Sequence, residues 1–300
     1  MPQITANGIA LEYDIHGPEA GDPVLLIMGF GAQMTQWSPQ FIGELTGRGY
    51  RVIVHDNRDV GLSEKFDAAG VPDMQKVYGA LMSGQTPDVP YTLDDMAADS
   101  AGLLDALGVE RAHIVGASMG GMIAQMVAAN HPEKSLSLVS VMSTTGNPAL
   151  PPAKPEAMAV LMTPSPDPAT DMAAYVANGV KGQKVIGSPG YPTEEAVTAE
   201  RVKNNALRSY YPVGRSRQMS AIVASGDRRG ALAAITVPTV VIHGADDPLV
   251  PVEGGKDTAA TIPGAELHIV PGMGHDLPAQ IIPQICDLIE LATARARAVA

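Results

Sequence analysis

Residues 111–121 read Arg111-Ala112-His113-Ile114-Val115-Gly116-Ala117-Ser118-Met119-Gly120-Gly121, and this junction decides the fold. The run ending at Val115 is apolar and strand-sized, and residues 119–130 carry a helical pattern. Between them stands the G-x-S-x-G pentapeptide Gly116-Ala117-Ser118-Met119-Gly120. A chain that turns this sharply from strand to helix forces its middle residue into a strained backbone geometry, at a cost of about 1–3 kcal/mol. Side chains two positions to either side would collide, so Gly116 and Gly120 are sterically required. The turn lifts the Ser118 hydroxyl clear of the backbone, at the positive end of the following helix. In a chain with 31 glycines such a pentapeptide also arises by chance; its place between a strand and a helix is what gives it meaning.

Working outward, further strand-sized apolar runs lie at 24–28, 51–55, 136–142, 239–243 and 267–270. Helical patterns separate them at about 36–47, 93–107 and 253–261, and a last helix shows apolar residues at Ile281, Ile282, Ile285, Leu288, Ile289 and Ala292. Continuous apolar strands alternating with helices predict βαβ units and an α/β fold, with a mostly parallel sheet covered on both faces. Two stretches break the rhythm. Residues 66–90 carry Gly, Pro and Asp with little periodicity and read as a surface insertion. Residues 147–235 open on Pro148, Pro151, Pro152, Pro155, Pro164, Pro166 and Pro168, then show helical segments around 170–181 and 194–210. That is too long for a plain connection and predicts a mainly helical cap inserted between two core strands. The expected organisation is therefore core 1–146, cap 147–235 and core 236–300.

Composition narrows the function. With 45% hydrophobic and 17% charged residues, the 300-residue chain has the material for a sizeable core. Aromatics make up only 4%, so the 15 methionines must share the core with Val, Leu and Ile. A formal charge of −12 repels phosphates and anionic membranes, which argues against nucleic-acid or membrane partners. The single cysteine, Cys286, excludes an intramolecular disulfide and a cysteine-rich zinc site. The start Met1-Pro2-Gln3-Ile4-Thr5 shows no basic or long apolar signal region, so a cytoplasmic protein is expected. There is no H-E-x-x-H and no phosphate-binding G-x-x-x-x-G-K-[ST], and Gly29-Phe30-Gly31 lacks the third glycine of a dinucleotide fingerprint. No metal or cofactor is expected. Asp94-Asp95 and Glu194-Glu195 read as helix-start charges.

A serine hydroxyl at neutral pH is a poor nucleophile, and needs a base held by a third group. Of the seven histidines, His16 lies near an N-terminal hairpin, and His113 and His268 sit inside strand runs. His55 and His243 end strands, and His131 closes a helix. His275 differs, because Pro271-Gly272-Met273-Gly274-His275 is a loop directly after the last strand, where parallel sheets place their chemistry. The carboxylate is sought after another strand, in His243-Gly244-Ala245-Asp246-Asp247-Pro248. The turn at Gly244 favours Asp247, with Asp246 as the alternative. The stretch Ser143-Thr144-Thr145-Gly146-Asn147, after the strand at 136–142, offers no carboxylate.

The order Ser118, Asp247, His275 belongs to one fold and differs from that of chymotrypsin-type and subtilisin-type proteases. With the elbow, the Gly244-x-x-Asp247 turn and the Gly274-His275 loop, the chain resembles the α/β-hydrolase superfamily over nearly its whole length. Asp56-Asn57-Arg58-Asp59-Val60-Gly61-Leu62-Ser63 looks like the family's D-x-R-G-x-G-x-S loop, with Asp59 in place of the usual glycine. That variant, and Ile27-Met28-Gly29 in place of the usual His-Gly, make the chain similar to the aclacinomycin methylesterase-like branch. An oxyanion hole for acyl transfer would take the N–H of Met119 and one from Gly29-Phe30-Gly31, which by resemblance is that of Phe30.

The implied activity is a cofactor-free serine hydrolase that cleaves a small or medium apolar carboxylic ester through an acyl-enzyme. Rival readings on the same residues are a haloperoxidase or perhydrolase, a C–C bond hydrolase and a non-catalytic small-molecule receptor. Candidate pocket residues are Gly29, Trp37, Tyr175 and Tyr210, although Trp37 equally fits packing of a helix onto the sheet, and aromatics at helical spacing are more often packing. Arg215 and Arg217 either hold an anionic substrate group or form a solvated basic stretch, which is the commoner case. A small-molecule ester is the expected partner, on a monomer or homodimer.

Overall fold

A computed structural model describes residues 2–299; Met1 and Ala300 lie outside it. A hairpin of β1 (Gln3–Ala6) and β2 (Ile9–His16) leads into β3 (Asp22–Ile27), α1 (Pro39–Gly47) and β4 (Tyr50–His55). Next come α2 (Met74–Met82), α3 (Leu93–Ala106), β5 (Ala112–Ala117), α4 (Met119–Asn130) and β6 (Ser135–Val141). Five helices follow: α5 (Pro155–Met162), α6 (Met172–Ile186), α7 (Glu195–Arg208), α8 (Val213–Ser225) and α9 (Arg229–Leu232). The chain closes with β7 (Thr239–Gly244), α10 (Val252–Thr261), β8 (Glu266–Val270) and α11 (Ile282–Val299). Among the described residues no helix is long and apolar enough to cross a membrane.

The strands form one sheet in the order β1-β2-β4-β3-β5-β6-β7-β8. β2 runs antiparallel to both its neighbours, and every other pairing is parallel. This is an α/β-hydrolase fold. Strand residues alternate between two cores, as a period of two dictates. Leu25 and Ile27 of β3 join Ile53 and Ile114 beneath α3 and α4. Val24 and Leu26 join Val52, Val54 and Val115 against Phe41 of α1 and Ile285 and Ile289 of α11. Both faces of the central strands β3, β4, β5, β6 and β7 are therefore largely dry, which is why these read as unbroken apolar runs.

Three expectations need correction. The helix foreseen from residue 36 begins at Pro39, because Ser38 caps it by accepting the Phe41 N–H and proline suits the first helical position. Residues 34–36 form a separate 3-10 turn. The 66–90 stretch is not a bare insertion: it holds α2, capped by the Asp73 carboxylate and anchored by buried Val77. Between β6 and β7, α5 and α8 were not foreseen. Pro155 reads as a breaker but occupies the start of α5, where its fixed φ favours the helix.

Two buried strand histidines make acid stability testable. His55 on β4 and His113 on β5 are 1% and 2% exposed. Burial pulls each from 6.5 down to about 4. Below about 6.5 the unfolded chain takes up protons that the native state refuses, so stability falls as pH drops from about 6.5 towards about 4. Each histidine is expected to cost about 2 kcal/mol between pH 7 and 5. Urea unfolding at both pH values should show His55→Gln losing its share of that dependence; an unchanged difference would refute the assignment.

Candidate active site

The elbow between β5 and α4 has the geometry its spacing demands. Ser118 sits at φ +59 and ψ −123, as the cap of α4. A Cβ on Gly116 would stand 2.0 Å from the Gly120 carbonyl oxygen, and one on Gly120 would stand 2.0 Å from that of Ile27. Only glycine at both positions lets the helix start against the ends of β5 and β3. The Ser118 N–H donates to the Val141 carbonyl at 2.9 Å, and the Ser143 hydroxyl donates to the Ser118 carbonyl at 2.8 Å. The strained residue is thus tied on both sides.

The structure brings His275 and Asp247 to Ser118. His275 Nδ1 lies 2.7 Å from Asp247 Oδ2, and Nε2 lies 2.9 Å from Ser118 Oγ. A carboxylate only accepts, so Nδ1–H is the donor and the Nε2 lone pair faces the serine hydroxyl. Asp247 is held in turn: its Oδ1 accepts the N–H groups of Leu249 and Val250 at 2.9 and 2.8 Å. His243 Nε2–H braces the same turn through the Val250 carbonyl at 2.8 Å, and burial lowers its pKa, keeping it neutral beside Asp247. Asp246 is exposed and accepts the Gly272 N–H at 2.9 Å, a turn-stabilising contact.

The His275 loop is fastened by residues between β6 and β7. The His275 N–H donates to the Ile186 carbonyl at 2.7 Å, and the Gly274 N–H donates to Ser188 Oγ at 2.9 Å. The Asp276 carboxylate accepts from the Ser188 hydroxyl and from Gln183 Nε2. Burial pushes the Asp276 carboxyl up from the usual range. These fasteners were not anticipated, since nothing local in the sequence pairs residues 88 and 93 positions apart.

The loop after β3 lies against the serine. A Cβ on Gly29 would be 3.0 Å from Ser118 Cβ and 3.5 Å from its Oγ. Gly31, at φ +63, donates its N–H to Gln218 Oε1 at 2.8 Å. Gln218 also donates to the Arg58 carbonyl at 2.9 Å, so α8 clips two core loops together. The Met119 N–H lies in the first turn of α4, where no helical carbonyl can accept it. Trp37, which fits pocket lining and packing equally well by sequence, is buried, with its ring tilted against that of Phe41 at a centroid distance of 4.9 Å. Tyr175 and Tyr210 meet edge to face at 5.6 Å.

The Asp56–Ser63 loop explains its own pattern. The Asp56 carboxylate accepts the N–H groups of Met34 and Leu62, each at 2.8 Å, and pairs with Arg208 at 2.7 Å. A Cβ on Gly61, at φ +56, would stand 1.9 Å from that carboxylate. The solvated reading of Arg215 and Arg217 is overturned. Arg217 is fully buried and pairs with Asp59 at 2.7 Å, and Asp59 itself sits at φ +65, a glycine-like conformation. Arg215 is half-buried, with its guanidinium 5.1 Å from the centre of the Phe30 ring. Among the described residues no three His, Cys, Asp or Glu side chains converge as metal ligands would.

This fold, with an elbow serine hydrogen-bonded to a histidine that is in turn hydrogen-bonded to an aspartate, both from later strand ends, defines a class. The chain belongs to the α/β-hydrolase family, whose profile, described as alpha/beta hydrolase fold, matches residues 22–179. It is 30% identical to RutD of Variovorax paradoxus (strain S110) over 266 residues, covering 88% of this chain and 89% of that one; the name of that relative ascribes carbamate hydrolysis to it. It is 26% identical over 298 residues to the rhodomycin D methylesterase DnrP of Streptomyces peucetius, covering 93% of each. The fold also matches a mutant of the meta-cleavage product hydrolase CumD of Pseudomonas fluorescens IP01, with a TM-score of 0.73, 21% identity and coverage of 100% and 98%. The chain is thus an α/β hydrolase with esterases and other hydrolases among its relatives.

Proposed function

We propose that this chain is a serine hydrolase of carboxylic esters. His275 Nε2 takes the Ser118 proton as Oγ attacks the ester carbonyl, and the N–H groups of Met119 and Phe30 receive the developing oxyanion. Collapse expels the alcohol, protonated by His275, and leaves an acyl-serine. Water, deprotonated by His275, then releases the acid. Asp247 holds the imidazole with Nε2 free and stabilises its cation. Residues 147–235 act as a cap that roofs this site. The observation that carries the reading is the unbroken hydrogen-bond run from Ser118 Oγ through His275 to Asp247, at 2.9 and 2.7 Å. Methylesterases among the relatives support the ester bond as the target.

A fluorophosphonate probe tests the proposal directly. It should modify the protein once, with the added mass on the peptide containing Ser118, and should abolish hydrolysis of a graded panel of 4-nitrophenyl esters. Labelling elsewhere, or ester turnover that survives full labelling, would refute it. Acetate-dependent bromination by peroxide, cleavage of a diketone C–C bond, or tight ligand binding without turnover would point to the rival readings.

A further inference from the structure

We propose, on the basis of the ester-hydrolase reading, that Arg215 receives a carboxylate of the substrate, so that the preferred ester is one arm of a molecule carrying a second, ionised carboxyl group. The arginines around this site differ in what they hold. Arg58, Arg208 and Arg217 each take a carboxylate of the chain itself: Asp99, Asp56 and Asp59. Arg228 spends Nη1 and Nη2 on the carbonyls of Gly226 and Thr144. Arg215 makes one hydrogen bond, from Nη2 to the Leu161 carbonyl at 3.0 Å. A guanidinium has five N–H donors, so four remain without an acceptor among the described residues.

Arg215 is not a free surface side chain. Its stem lies on Gly31, where an added Cβ would meet Cγ at 3.0 Å, Cδ at 3.2 Å and Nε at 3.3 Å. Its guanidinium covers the Phe30 ring at 5.1 Å. Burial works against its charge, and no carboxylate offsets the loss of water. The Tyr175 phenol is itself raised by burial and by Tyr210, so it stays neutral and able to donate.

Position supplies the function. Phe30, beneath the guanidinium, follows Gly29, where an added Cβ would stand 3.0 Å from Ser118 Cβ. An anion on Arg215 lies over the loop residue next to the serine-facing glycine, the place for a second group of the molecule whose carbonyl sits at Ser118 Oγ. A carboxylate fits the planar donor fork bidentately. A preformed, partly desolvated cation whose partner is absent from the protein is what such recognition requires.

The test compares monomethyl glutarate, adipate and suberate with neutral methyl esters of matching length, at fixed 0.15 M salt. The wild-type kcat/KM should favour at least one acidic member over its neutral counterpart by roughly tenfold or more. Arg215→Met should lower the ratio of kcat/KM for that hemiester to kcat/KM for its neutral counterpart by roughly 10–100-fold. Arg215→Lys should retain part of the preference. Binding of the same pairs to Ser118→Ala protein, measured by calorimetry, reads recognition without turnover. Carboxylate-dependent binding without any turnover in the wild type would sink the hydrolase reading and leave the Arg215 assignment standing. Turnover or binding indifferent to the carboxylate, or an equal loss for both esters in Arg215→Met, would overturn the assignment.

Discussion

Ser118→Ala is expected to lower hydrolysis of 4-nitrophenyl esters by roughly 10⁴–10⁶-fold, to near the solution background, while the unfolding midpoint moves by only a few degrees. The loss is large because nucleophile and base act as a unit. Without Oγ there is no acyl-enzyme, and the imidazole 2.9 Å away has nothing to deprotonate but water. The small thermal effect follows from what else changes. The substitution removes one partly buried hydrogen bond, worth about 1 kcal/mol, and leaves the backbone strain at φ +59 in place. Ser118→Gly removes the same hydroxyl and relieves that strain, so it should be inactive yet more stable than Ser118→Ala by about 1 kcal/mol. Ester turnover of Ser118→Ala within tenfold of wild type would show that another group attacks the carbonyl.

The side chains of Ser118, His275 and Asp247 are legible in the sequence because each follows an apolar strand run, and a parallel sheet gathers its strand ends at one rim. The glycines at 116 and 120 are legible for a steric reason that needs no partner beyond the turn itself. What escapes is of two kinds. α2 and α8 present narrow apolar faces, with Val77 as the buried residue of α2, and local periodicity cannot raise them above loop. The second kind is charge. Asp59 and Arg217 lie 158 residues apart, and each alone reads as a solvated polar residue. Only the packing of α8 onto the loop after β4 shows that they neutralise each other. The departure from the family's usual glycine at 59 was the available signal, since a carboxylate in a glycine position asks where its counter-charge is.

That buried pair carries the largest expected effect on stability. Arg217→Met and Asp59→Gly should each destabilise the protein by about 3–5 kcal/mol, because each leaves an uncompensated charge in a dry site. Both side chains are fully buried. Arg217 Nε and Nη2 grip the two Asp59 oxygens at 2.7 and 2.8 Å, and this contact raises the guanidinium pKa above its ordinary value. Asp59 also accepts the Tyr91 hydroxyl at 2.7 Å and the Phe66 N–H at 2.9 Å. The double variant Asp59→Gly/Arg217→Met removes both charges and places glycine at φ +65, where it is unstrained. It should therefore cost less than the sum of the singles by at least about 2 kcal/mol in urea unfolding at pH 7, the residual loss coming from the orphaned Tyr91 and Phe66 donors. Strict additivity would mean that the two charges are not coupled. The pair also bears on the site, because Arg217 shares α8 with Arg215 and Gln218, which cover and brace the loop at Phe30 and Gly31. In the single variants KM should accordingly rise more than kcat falls, and the double variant should recover KM along with stability. A double variant that regains stability but not KM would separate the anchoring of α8 from the placement of that loop.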